Sequence, residues 1–207
     1  MLPIRNLLFD LGNVLIDLDL ARSDRLLRAR LGERYTASFV ANEQAGVFER
    51  YELGQISEAE FLGHLRPYGG TDSELIAAWN AMLIGLPAHR LKMLEDLRAE
   101  GYGVYLLSNT NATHLDWVRA YLRRTYGITD FDGHYFDNAY YSHLIQRRKP
   151  DVATYEWVLQ DAGIEAVTTL FIDDNLANVE GARAAGLRAH HHADGREVTA
   201  VVREALG

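Results

Sequence analysis

The stretch Thr168-Thr169-Leu170-Phe171-Ile172-Asp173-Asp174 decides how the rest of the chain is read. Five residues that favour a pleated, buried environment run on and stop at two carboxylates, the pattern of a core strand that ends in a turn. Two runs of the same kind stand far from it in sequence. Ile4 to Phe9 is stopped by Asp10 and Gly12, and Val104 to Leu107 is stopped by Ser108. Ala139 to Ser142 and Leu187 to His190 are weaker strand candidates.

Helical patterns separate these runs. His89 to Glu100 carries Leu91, Leu94 and Leu97 at helical spacing and ends at Gly101. His114 to Thr125 sets Leu115, Val118, Tyr121 and Leu122 along one side. Asp151 to Ala162 follows Pro150 and ends at Gly163, and Asn175 to Ala185 ends at Gly186. Strands alternating with helices of this length predict an α/β fold, a parallel sheet with helices on both faces. One region breaks the alternation. From about Ala21 to Leu83 only helical segments can be read, and Ser57-Glu58-Ala59-Glu60 and Thr71-Asp72-Ser73-Glu74 fit capping boxes that start helices. A second, small helical domain inserted after the first strand is the simplest reading.

The 207 residues are 48% hydrophobic and 24% charged, with 17 Gly and 4 Pro, which excludes disordered and collagen-like classes. A chain of this length buries ~70% of its unfolded surface, enough for one sizeable core and an appendage. The formal charge is −8, so no basic footprint for nucleic acid is present. There is no cysteine, which removes thiol nucleophiles and zinc–thiolate sites together. The apolar runs are too short for a membrane span, and Leu7-Leu8-Phe9 is too short for a signal peptide, so a cytoplasmic protein is expected.

The chemistry-bearing candidates are polar stops: Asp10, Ser108, the Asp173-Asp174 pair, and Lys149 ahead of a helix. In an open parallel sheet, ligands bind beyond the carboxyl ends of the strands, so stops far apart in sequence can converge. Carboxylates gathered there repel one another unless a cation lies among them. With no thiol available, a hard, oxygen-seeking ion fits, and Mg2+ is the usual choice beside phosphate. Lys149 and Ser108 would add a positive charge and a hydroxyl for phosphoryl oxygens. An aspartate nucleophile, a metal, a lysine and a hydroxyl are the parts needed for an aspartyl-phosphate intermediate.

Four segments, in order, resemble the motifs of the haloacid dehalogenase superfamily: Leu7-Leu8-Phe9-Asp10-Leu11-Gly12-Asn13-Val14, Leu107-Ser108-Asn109-Thr110, Arg148-Lys149-Pro150 and Phe171-Ile172-Asp173-Asp174-Asn175. The likeness extends over nearly the whole chain and is greatest to phosphatases with a small helical cap, glucose-1-phosphate phosphatase-like proteins among them. It implies a Rossmann-like core over 1–18 and 86–207 with a cap over 19–85. It also implies a Mg2+-dependent phosphatase acting on a small phosphorylated metabolite, with sugar phosphates among the candidates. By the same resemblance Asp10 is nucleophile and metal ligand, and the Gly12 carbonyl is a second ligand. Ser108 and the Asn109 amide bind the phosphoryl group, Lys149 neutralises charge, Asp174 binds the metal, and Asp173 is ligand or anchor.

One position departs from the family pattern. Most phosphatases of the superfamily have an aspartate two residues after the nucleophile, serving as general acid and base, and here that residue is Gly12. The departure predicts a bias toward leaving groups that need little protonation, such as aryl phosphates, acyl phosphates and anomeric sugar phosphates. It keeps two alternatives open: a catalytically weakened regulatory or binding protein of the same fold, and a haloacid dehalogenase. Other features have plainer readings. His190-His191-His192 reads as an edge strand fading into a loop, since only alternate residues share a face. Ser108 to Asn111 and Asp173-Asp174 can cap the helices that follow them. Phe48-Glu49-Arg50-Tyr51 lies in the helical insertion, either as packing or facing a substrate, and Tyr140-Tyr141 reads as packing.

Overall fold

The structure is a computed structural model and describes residues 2–32 and 46–207. Its strands are β1 (Asn6–Phe9), β2 (Asp17–Leu18), β3 (Leu83–Gly85), β4 (Gly103–Ser108), β5 (Asn138–Tyr141), β6 (Thr169–Asp173) and β7 (Arg188–His191). Five of them form one parallel sheet in the order β5-β4-β1-β6-β7. The central β1 pairs with β4 on one side and β6 on the other, Phe9 lying beside both Leu106 and Ile172. The chain builds outward from β1 in one direction and then in the other. That reversal opens a crevice at the carboxyl ends of β1, β4 and β6.

Because successive side chains of a strand face opposite ways, β1 feeds two cores at once. Leu7 and Phe9 join Leu106, Ile172 and the helices Ala88–Ala99 and Ala112–Tyr126 on one face. Leu8 joins Leu107, Phe171 and the helices Val152–Ala162 and Leu176–Ala184 on the other. Leu7, Leu8 and Phe9 are all fully buried, which explains why the run carries no polar alternation.

The inserted helices Leu20–Leu31, Val47–Glu52, Glu58–Leu65 and Asp72–Asn80 gather a separate cluster around Leu27, Tyr51, Phe61 and Leu75. Both capping boxes form: the Ser57 and Thr71 amides donate to Glu60 and Glu74 at 2.8 and 2.9 Å. Phe48 and Tyr51 serve this packing, as Tyr140 and Tyr141 serve that of the sheet. The three histidines fall on β7 at the sheet edge and just beyond it. Among the described residues no helix is long and apolar enough to cross a membrane.

Several details differ from the sequence reading. β2 and β3 form an antiparallel ribbon, so Leu83 is a strand residue rather than part of a purely helical stretch. Two or three residues are too few for alternation to be seen. The helix expected from His114 begins at Ala112, because the Asn111 side chain accepts from the His114 amide. Asn175, not the aspartate pair, caps the helix after β6, its side chain accepting from the Ala177 amide. The helix Val198–Leu206 has no counterpart in that reading.

Leu106 is fully buried at the centre of the sheet. Leu106→Ala should cost about 2–5 kcal/mol of stability, seen as a lower urea midpoint with an unchanged slope. A loss of less than about 0.5 kcal/mol would contradict this core assignment.

Candidate active site

Asp10 is the first residue beyond β1, and its amide donates to the Ile172 carbonyl of β6 at 2.9 Å. Neighbouring strands in register thus bring Asp10 beside Asp173, the last residue of β6. Lys149 arrives from the loop before the helix Val152–Ala162. Its Nζ donates to Asp10 Oδ1 at 2.6 Å and to Asp173 Oδ2 at 2.7 Å. Lys149 is 1% exposed and Asp173 0%, so this ion triad is in the interior.

The partners of each group are themselves held. The Asn109 side chain accepts from the Lys149 amide at 2.9 Å and donates to the Lys149 carbonyl at 2.8 Å. This pair ties the end of β4 to the lysine loop. Asp173 Oδ1 accepts from the Asn175 amide at 2.8 Å, and the Asn178 amide group reaches both Asp173 oxygens. Asp174 has a lighter set: Asn13 Nδ2 donates to its Oδ2 at 2.8 Å. Asn13 has a φ of 52°, a left-handed conformation that asparagine tolerates better than most residues, and its Oδ1 accepts from the Leu18 amide at 3.2 Å.

Burial pushes the Asp10 carboxyl up to about 6; Lys149 draws it down and Asp173 adds to the rise. For Lys149, burial alone would favour the neutral amine. The facing carboxylates of Asp10 and Asp173 outweigh it and hold the pKa above that of a free lysine. Asp10, Asp173 and Asp174 each place a carboxylate oxygen within 4.8 Å of the others. Three carboxyl groups against one ammonium gather an excess of acidic groups in a confined space. A dication answers that imbalance, and an all-oxygen donor set suits Mg2+. The residues present therefore fit the ion.

Gly12, Ser108, Asn109 and Thr110 line a cavity of about 290 Å3 beside the triad. Leu18 and Trp79 also face this cavity, as do Glu52 and His114. A Cβ on residue 12 would lie 2.8 Å from Leu18 Cδ1 and 4.0 Å from Asp10 Oδ2. The point from which the family pattern extends a carboxyl is therefore close to Asp10 and crowded by the Leu18 side chain.

A model of the haloacid dehalogenase-like hydrolase family matches residues 4–186. The chain belongs to the haloacid dehalogenase-like hydrolases. D-ribitol-5-phosphate phosphatase of Bacteroides thetaiotaomicron is 28% identical over 198 residues, 94% of each chain. The sesquiterpene phosphatase AstK of Aspergillus oryzae is 28% identical over 163 residues, 77% of this chain and 79% of the relative. Among solved structures, a haloacid dehalogenase family enzyme of Bacteroides thetaiotaomicron in complex with magnesium and inorganic phosphate superposes with a TM-score of 0.84. It shares 33% identity over 96% of this chain and 98% of its own.

In this haloacid dehalogenase-like hydrolase the candidates named from sequence all fall at one place. Asp10, Lys149, Asp173 and Asp174 form the charged cluster, and Gly12, Ser108 and Asn109 line the cavity beside it. Other participants were not singled out. Arg90, 8% exposed, donates to the Leu15 carbonyl at 3.1 Å, to Asp17 at 2.8 Å and to Glu197 at 2.6 Å, pinning the loop after Asp10. His114 bonds Asn80 at 2.7 Å and stacks on Trp79 at 5.2 Å between ring centroids. Their signals are long-range contacts, which periodicity does not carry. Asn13 alone had a local one, a turn-prone asparagine directly after glycine.

Burial pushes the His114 imidazole from 6.5 down to about 4, so the folded protein keeps it neutral. The unfolded chain takes up its proton first as pH falls. The stability contributed by the neutral ring is complete above about pH 6.5 and is lost as the pH drops toward 4, on the order of 3 kcal/mol. His114→Asn, which keeps a donor toward Asn80, should flatten that part of the urea-midpoint profile between pH 7 and 4.5. Parallel profiles for wild type and variant would refute the assignment.

Proposed function

We propose that this protein is a Mg2+-dependent phosphomonoesterase that hydrolyses a small phosphorylated metabolite through an aspartyl-phosphate on Asp10. The observation that carries the proposal is the buried Lys149 ammonium bonded to Asp10 and Asp173, with Asp174 completing a carboxylate cluster. The two phosphatases among its relatives and the magnesium and phosphate bound by its structural neighbour support it.

Asp10 Oδ1 is engaged by Lys149, which leaves Oδ2 to attack phosphorus. A P–O bond forms to Asp10 and the P–O bond to the alcohol breaks, the departing oxygen taking a proton from water. A second water then attacks the same phosphorus and its proton neutralises the hydroxide left by the first; the bond between phosphorus and the Asp10 oxygen breaks, and inorganic phosphate leaves with the carboxylate restored. Lys149 offsets the charge of the attacking carboxylate and the phosphoryl oxygens. The Ser108 hydroxyl and the Asn109 amide hold those oxygens in line. Asp10, Asp174 and the Gly12 carbonyl would hold Mg2+, while Asp173 anchors Lys149 and the loop after β6. When bound, Mg2+ supplies positive charge that relieves repulsion between carboxylate and phosphoryl group.

Segment 19–85 acts as the cap in this reading, with Glu52 and Trp79 among its contributions to the cavity. With glycine at position 12 no carboxyl stands there, so the departing oxygen takes its proton from water. A cytoplasmic site of action belongs to the proposal, since phosphorylated metabolites are held there by the cost of moving charge through lipid. The acidic cluster argues against a dehalogenase, whose attack on carbon needs no metal. Its presence together with Asp10 and Lys149 argues against a binding protein that has lost turnover.

With p-nitrophenyl phosphate as substrate, Asp10→Asn should lower kcat more than about a thousandfold while circular dichroism stays native. EDTA should abolish activity and added Mg2+ restore it. Asp174→Ala should raise the half-saturating Mg2+ concentration about tenfold or more, and Asp173→Asn should raise it less. Full activity in EDTA, or turnover by Asp10→Asn within about tenfold of wild type, would overturn the mechanism.

A further inference from the structure

Leu11, Ile16, Leu18, Leu20, Met82 and Leu83 face the cavity beside Asp10, and with Val118 they make half of its lining residues aliphatic. The Trp79 and His114 rings, stacked with an interplanar angle of 6°, add flat aromatic surface. The aliphatic wall extends to the loop after Asp10, where Leu18 Cδ1 lies 2.8 Å from the point a Cβ on Gly12 would take.

The polar groups of this wall are largely spoken for. His114 Nδ1 is bonded to Asn80 and its ring is held neutral by burial. Glu52, 30% exposed on its side chain, is paired with Arg148 at 2.8 Å. The Trp79 indole N–H is the one buried side-chain donor of the wall without a partner among the described residues. Ser108 and Asn109 are assigned above to the phosphoryl group, and the Thr110 amide donates to Ser142 Oγ at 2.9 Å. A polyol leaving group would bring several hydroxyls against leucine, methionine and valine. Each hydroxyl stripped of water without a new partner weakens binding about fivefold or more.

We infer that this cavity takes the hydrocarbon part of a phosphate monoester, so that the substrate class is the monophosphate of an alkyl, alkenyl or aryl alcohol and not of a sugar or polyol. This rests on the phosphomonoesterase reading above and specifies its leaving group. A volume of about 290 Å3 holds on the order of ten water-sized groups, room for a chain of about six to eight carbons.

The test is kcat/KM of the wild-type enzyme with saturating Mg2+ on ethyl, butyl, hexyl and octyl phosphate, beside ribitol 5-phosphate and p-nitrophenyl phosphate. The straight-chain alcohols differ little in acidity, so the series varies burial at nearly constant leaving-group chemistry. The expected result is a rise of about threefold per methylene from ethyl to hexyl, with ribitol 5-phosphate about tenfold or more below the butyl ester. Leu18→Gln and Met82→Gln should each reduce the hexyl-to-ethyl ratio severalfold. A flat series, a polyol ester above the butyl ester, or an unchanged ratio in both variants would overturn the inference while p-nitrophenyl phosphate is still hydrolysed. Failure to hydrolyse p-nitrophenyl phosphate as well would overturn the phosphomonoesterase reading, and the inference with it.

Discussion

An ammonium group with 1% of its residue exposed must be compensated, and the architecture around Lys149 is arranged to do so. Removing such a charge from water costs several kcal/mol, and two carboxylates at 2.6 and 2.7 Å offset that cost only if the backbone holds all three groups in place. Asp10 and Asp173 are neighbours because β1 and β6 are hydrogen-bonded in register, one residue short of the crevice. Lys149 stays between them because Asn109, at the tip of β4, clamps both polar groups of its backbone. Three adjacent strand ends and one loop are thereby committed to a single charged cluster. The same cluster leaves one Asp10 oxygen free of the lysine and an excess of negative charge that a dication can balance.

Much of this is legible in the sequence alone. Thr168–Asp174, Ile4–Asp10 and Val104–Ser108 were readable as strands because a core strand covered on both faces needs an unbroken apolar run and ends where polarity begins. The polar stops that ended them converge with Lys149 in the structure. What could not be read was short or distant. The ribbon of Asp17–Leu18 with Leu83–Gly85 is too brief to show alternation. Arg90 reaches Leu15, Asp17 and Glu197 across the fold, contacts that helical spacing does not encode. The Trp79–His114 stack joins residues from the insertion and the core, and no spacing rule pairs them.

Gly12 shows how an absence in sequence acquires meaning in space. Read along the chain, it is only a missing carboxyl. In the structure a Cβ there would lie 2.8 Å from Leu18 Cδ1, so the missing acid and the aliphatic wall adjoin. An aspartate there would have to shift the Leu18 methyl group. The loop after β1 and the β2–β3 ribbon meet at this contact.

The claim on which the rest depends is that Asp10 carries the phosphoryl group. Acid quenching of the enzyme during turnover of p-nitrophenyl phosphate, followed by proteolysis and peptide mass spectrometry, measures this directly. The account predicts one phosphate on the peptide that contains Asp10, lost again when the quenched protein is treated with hydroxylamine, as an acyl phosphate requires. Phosphate recovered on another residue, or an unmodified Asp10 peptide during a stoichiometric burst of p-nitrophenol, would contradict it.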